Sequence, residues 1–219
     1  MKLRAVTITC GALLAIASGA FAQEAVKPVT FGAPAGKIAK LEKGFTRLFD
    51  GKSLNGWKMA GPGSFKLLPD GSMLADGGMG LLWYNKAQYK DFELKLDWKV
   101  ASKDSNSGVF VRFPDPGNDP WIAVNQGYEI QISDSGDDLH RTGAVYTFAP
   151  TNFVPSKAYG GWNTESIKVV GNQYTITING KKVCDYVGTR SLEGYIGVQN
   201  HEPTNNAAFR NIRIKSLSR

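Results

Sequence analysis

Histidine and cysteine are scarce in this chain, with two of each among 219 residues. His140 and His201 alone exclude a metal cage rich in imidazole. Cys10 falls in the first apolar stretch, so the rest of the chain keeps Cys184 alone and can form no internal disulfide. Stability must therefore come from an ordinary hydrophobic core, and Cys184, in a predicted strand, reads as a small buried residue rather than a nucleophile. Several enzyme signatures are also missing: there is no Gly-x-Ser-x-Gly elbow, no His-Glu-x-x-His, no phosphate-binding glycine loop and no paired-cysteine knuckle. The net charge is +7, yet no Lys/Arg run concentrates it, which argues against nucleic acid as a partner.

The first residues have the pattern of an export signal. Lys2 and Arg4 form a positive head, Ala5 to Ala17 is largely apolar, and Ala20-Phe21-Ala22 is a small-x-small cleavage site. The run is too short for a membrane span, and Thr7 and Thr9 do not match a lipidation box around Cys10. Residues 1–22 are expected to be a cleaved signal peptide, with Gln23 opening the mature chain, which would be periplasmic or secreted and have no transmembrane segment. Residues 23–43 carry Pro28 and Pro34 without periodicity and read as a flexible tether; residues 44–219 read as one domain.

Within that domain the pattern is β throughout. Phe92, Leu94, Leu96, Trp98 and Val100 alternate with Glu93, Lys95, Asp97 and Lys99, the period of a strand with one buried face. Val109–Phe113, Tyr128–Ser133, Gly194–Gln199 and Ala207–Leu217 read as further strands. Tyr174–Ile178 and Lys181–Tyr186 flank Asn179-Gly180, a pair suited to a tight hairpin because both turn residues need positive φ. No helix of ordinary length is predicted, and the 25 glycines with no βαβ alternation point to two packed antiparallel sheets. Three long connections, 114–126, 134–142 and 148–161, are the natural places for function.

Candidate site residues cluster on two predicted strands. In the second, Glu129, Gln131 and Ser133 share a face opposite Tyr128, Ile130 and Ile132. In the first, Phe110 and Arg112 share a face, so side-by-side strands would bring Arg112 near Glu129. Ordinary two-carboxylate glycoside hydrolysis is not supported: Gln131 stands where a second carboxylate would be convenient, and Asp134 falls on the opposite face. His140, in a polar loop, is a candidate acid or base. Trp121, Tyr159 and Trp162 are candidate stacking platforms for a sugar ring. Asp134, Asp137 and Asp138, or Asp115 and Asp119, are candidate ligands of a divalent cation such as calcium, and equally ordinary turn residues.

The segment Gly44-Phe45-Thr46-Arg47-Leu48-Phe49-Asp50-Gly51-Lys52-Ser53-Leu54-Asn55-Gly56-Trp57 resembles the opening of the 3-keto-disaccharide hydrolase domain family. Asn106-Ser107-Gly108-Val109-Phe110-Val111-Arg112, Tyr128-Glu129-Ile130-Gln131, His140 before Thr142–Tyr146, and Trp162-Asn163 resemble its middle. Gly197–His201 and Phe209–Ile214 resemble its end, although Glu202 stands where the family has glycine. The resemblance implies a concanavalin A-like jelly roll. It also implies substrates that are oxidised disaccharides or glycosides bearing a ketone at carbon 3. Such a ketone acidifies the carbon-2 hydrogen, so one base suffices for elimination of the carbon-1 oxygen, and water then adds to the resulting 3-keto-2-hydroxyglucal. On this reading Glu129 or His140 is the base and the other assists, while Arg112 and Gln131, or a divalent ion, stabilise the enolate oxygen. Asn106, Trp121, Trp162 and His201 would help bind substrate. The competing reading is a glycan-binding module that uses the same polar face without reaction.

Overall fold

The computed structural model describes residues 38–154, 156–201 and 207–217, so the segment read as a signal peptide and most of the segment read as a tether lie outside the described residues. Thirteen strands and one short helix follow in order: β1 Thr46–Arg47, β2 Trp57–Ala60, β3 Ser64–Leu67, β4 Met73–Asp76, β5 Gly80–Tyr89, β6 Phe92–Val100, β7 Ser107–Phe113, α1 Trp121–Gln126, β8 Tyr128–Ile132, β9 Asn163–Val170, β10 Gln173–Ile178, β11 Lys181–Val187, β12 Gly194–Asn200 and β13 Ala207–Ser216. They form two antiparallel sheets. One runs β11-β10-β9-β6-β13-β4-β3 with β1 added to β13; the other runs β2-β5-β12-β7-β8. This is the two-sheet jelly roll expected from the sequence. Among the described residues no helix is long and apolar enough to cross a membrane.

The alternation in β6 does what a period of two dictates: Phe92, Leu94, Leu96 and Trp98 are buried in the layer between the sheets. Asn179 and Gly180 take positive φ values of 51° and 77° and join β10 to β11. Cys184 is buried with the core, as its position in a strand suggested. The end of the segment read as a tether is fastened down. Ala39 N–H donates to Asn211 Oδ1 at 3.1 Å, and Glu42 accepts two bonds from Arg213, at 2.6 and 2.8 Å.

One expectation fails in β7. Strict alternation would put Arg112 beside Phe110, on the face of Glu129. Instead Arg112 has φ of 57° and the pairing with β12 shifts between Tyr195 and Ile196. This bulge reverses the phase, as an extra residue in a strand must. Phe110 and Phe113 end on the outer face, in one cluster, and the Arg112 side chain is fully buried. Its guanidinium donates to the carbonyls of Lys90 and Gly171 and to the Tyr174 hydroxyl, with Asp91 at 3.6 Å. Arg112 thus ties the β5–β6 connection and the β9–β10 turn to β7, and does not meet Glu129.

Candidate active site

The outer face of the five-stranded sheet changes character from one side to the other. A row of paired residues, Trp83–Gly197–Phe110–Glu129, crosses β5, β12, β7 and β8 in register. Beside it Leu81 pairs with Gln199 and Gly108 with Gln131. Ala60, Leu81, Trp83, Phe110, Phe113 and Ala123 make a second apolar cluster outside the main core. The polar residues gather at the other end, on β8 and the ends of β7 and β12. Two glycines keep the floor open. A Cβ on Gly108 would overlap the Glu129 carboxylate, and one on Gly197 would come within 2.8 Å of a Leu81 methyl.

A hollow of about 100 Å³ lies over the polar end, lined by Asn106, Glu129, Gln131, Tyr146, Gln199 and His201, with Met79, Trp121 and Val124 on its apolar side. Glu129 is 5% exposed, and burial pushes its carboxyl up to about 8. It is the sole carboxylate among the described residues lining the hollow. Gln131 Nε2 donates to the His140 carbonyl at 3.2 Å, and Asn106 Nδ2 lies 3.2 Å from His201 Nε2. That leaves Gln131 Oε1, Gln199 Oε1 and Asn106 Oδ1 as buried acceptors with no partner. Such oxygens are costly in an empty site and are satisfied by a ligand rich in hydroxyl donors.

Several sequence candidates converge here: Glu129, Gln131, Asn106, His201 and Trp121, the last 53% exposed at the rim. Others do not. His140 is not part of the lining; its Nδ1 is 2.7 Å from Asp137 and its ring packs edge-on against Tyr146 at 5.0 Å. Trp162 precedes β9 and packs on the other sheet, where Lys99 and Arg210 sit over its ring at 4.6 and 4.0 Å. Tyr159 is exposed and lies outside the lining.

The loop carboxylates named as cation ligands are each engaged by other groups of the protein. Asp134 accepts from Thr142 and Ser156, Asp137 from Leu139 N–H and His140, and Asp138 pairs with Arg141. Asp115 and Asp119 accept from Gly117 and Trp121 N–H. Among the described residues no three His, Cys, Asp or Glu side chains gather into one cluster.

Tyr146 and Gln199 were missed as site residues, although both lie in segments the sequence singles out. Gln199 could have been found from the phase of β12, where Gly197 and Gln199 share a face. Met79 and Val124 carried no signal.

The family model for the 3-keto-alpha-glucoside-1,2-lyase-like domain matches residues 44–215. A 3-keto-disaccharide hydrolase of Bacteroides thetaiotaomicron is 28% identical over 80% of this chain and 79% of its own length. A proposed glycosyl hydrolase of Parabacteroides distasonis superposes with a TM-score of 0.66 at 27% identity, over 79% of this chain and 99% of that one. The carbohydrate-binding module CBM66 of Bacillus subtilis shares the fold alone, with a TM-score of 0.57 at 16% identity over 74% and 96% of the two chains. The chain belongs to the 3-keto-alpha-glucoside-1,2-lyase-like domain family.

Proposed function

We propose that the protein is a carbohydrate-active enzyme that cleaves glycosides bearing a ketone at carbon 3, with Glu129 as the base. The observation that carries this reading is the one carboxylate among the described residues lining the hollow, set among amide oxygens that lack donors. Ordinary glycoside hydrolysis needs two carboxylates at a fixed separation. Elimination next to a ketone needs one base, because the carbonyl has already acidified the carbon-2 hydrogen.

The step balances as follows. Ionised Glu129 takes the carbon-2 proton, the carbon-1–carbon-2 double bond forms, and the carbon-1–oxygen bond breaks with that oxygen taking up a proton. Hydroxide from water then adds to carbon 1 and a proton returns to carbon 2, so the net products are the 3-keto sugar and the free alcohol. The C3 oxygen gathers negative charge as the proton leaves. Arg112 is buried elsewhere and the Gln131 amide nitrogen is committed to His140, so we assign the Tyr146 phenol as a donor to that oxygen. The three unpartnered amide oxygens accept from sugar hydroxyls. His140, held by Asp137 and packed edge-on against Tyr146, positions the phenol. We further propose that the enzyme acts outside the cytoplasm, on the strength of residues 1–22; N-terminal sequencing of exported protein should begin at Gln23.

The decisive assay mixes purified protein with 3-keto-trehalose and with unoxidised trehalose, with and without chelator. Cleavage confined to the keto sugar is expected, and Glu129→Gln should lower it by about a hundredfold or more. The half-exposed Trp121 at the rim favours one competing reading, a glycan-binding module. That reading gains the argument if neither sugar is cleaved and Glu129→Gln alters affinity only modestly.

A further inference from the structure

One wall of the hollow is built on an element that cannot hold itself in place. α1 supplies Trp121 and Val124 to the lining. It is six residues long, Pro120 gives its start no side-chain cap, its first turn has no acid, its last turn no base, and Ala123 is its only buried residue. A helix that short is unstable alone, because its first turn fixes several residues for one hydrogen bond, and its last carbonyls find no partner within it. The β11–β12 connection supplies what is missing. Arg190 Nη1 donates to the Val124 carbonyl at 2.9 Å and also to that of Gly127. The guanidinium lies over the Phe148 and Tyr128 rings, 4.7 and 5.4 Å from their centroids. Its backbone is fixed too, since the Thr189 and Arg190 N–H groups both donate to the Tyr128 hydroxyl at 2.7 Å. We propose that Arg190 is a positioning residue: it sets α1 against the hollow, and so sets the affinity for the oxidised ring without touching it. The inference rests on the reaction proposed above.

Two observations separate this role from the chemistry. Arg190 does not line the hollow. Glu129 is held independently of it, because β8 pairs with β7 along one edge and bonds to residues 142–146 along the other. Loss of Arg190 therefore frees Trp121 and Val124 and leaves the base where it is. The residue type matters as well. A planar guanidinium can bond two carbonyls while lying flat on an aromatic ring, whereas an ammonium is a hydrated point charge with no flat face.

The test measures steady-state kinetics on 3-keto-trehalose, and hydrogen exchange, for the parent protein, Arg190→Met and Arg190→Lys. Arg190→Met should raise KM about tenfold with kcat within about twofold, the mark of lost binding rather than lost chemistry. Arg190→Lys, which restores a donor, should raise KM about threefold, and the pH at which kcat/KM levels off should move in neither. Exchange in the peptide covering residues 121–127 should quicken about tenfold or more in Arg190→Met, while Tyr128–Ile132 stays protected. An unchanged KM, a larger fall in kcat, or exchange that quickens equally through β8 would overturn the inference, the last because it marks a general loss of stability. If Arg190→Met does not fold, Arg190→Lys decides alone, and an unchanged KM there overturns the inference. A parent protein that cleaves no keto sugar would instead overturn the reaction itself, and the inference with it.

Discussion

A carboxyl held neutral up to about pH 8 is a poor base at pH 7 by population and a good one by strength. Burial is what raises Glu129, since the charged form loses its water without gaining a cation. A base must be ionised to act, so kcat/KM should climb about tenfold per pH unit below 8 and level off above it. A profile falling through the same range would make Glu129 an acid and reverse its role. The space for this side chain comes from Gly108, whose missing Cβ would overlap the carboxylate. Gly108→Ala should keep the fold, because its φ is not left-handed, while pushing Glu129 off its position. A loss of roughly a hundredfold in kcat, with an unchanged circular-dichroism spectrum, is the expected result. Glu129 and Gln131 share the hollow, as the period of two predicts, because β8 is a regular strand. Nothing in the sequence could show that a glycine on the neighbouring strand makes the cavity they share.

Elements were legible wherever one face met water and the other did not. β6 and the Asn179-Gly180 hairpin are of that kind. β5 was not found because Leu81, Leu82 and Trp83 are all buried, two on the outer cluster and one in the core, so no alternation survives. In β9 the alternation exists, but Asn163 and Glu165 occupy inward positions and disguise it. The bulge at Arg112 is the costliest miss, since one residue of phase moved a cation from the site to the interior. Arg112→Met should therefore lower stability by about 3 kcal/mol, because it strips buried carbonyls of a charged donor. KM measured on the folded fraction should stay the same, whereas a substrate-binding arginine would raise it.

The molecule as a whole carries another buried acid that has no assigned role and is raised by burial as Glu129 is. Glu165 lies in the layer between the sheets, neither of its oxygens has a hydrogen-bonding partner, and burial pushes it up to about 8. The nearby Trp98 indole, outside bonding geometry, offsets that only slightly. Both Glu129 and Glu165 hold their protons more tightly when folded than the ordinary value of 4.5. The folded state is then most favoured below that value and loses stability as pH rises from 4.5 to about 8, at up to about 1.4 kcal/mol per unit for each group. Melting temperature should fall across this window, and Glu165→Gln should remove about half of the fall. A flat curve for the parent protein would show that these carboxyls are not buried as described.

The strand bearing Glu129 is also the outermost one of its sheet, and bare strand edges recruit other chains. Here residues 142–146 run beside it. Thr142 and Gly143 N–H donate to Ser133 and Gln131, Gln131 N–H donates to Ala144, and Tyr146 N–H donates to Glu129. The segment that delivers a phenol to the pocket is therefore also the seal on an otherwise sticky border. Most loops around a binding site can lengthen, shorten or drift at little risk. This one is under double selection, because any change that reshapes the pocket also uncovers backbone that invites self-association. Directed evolution of substrate range is better aimed across the hollow at α1, where a poor choice loses a ligand rather than the monomer.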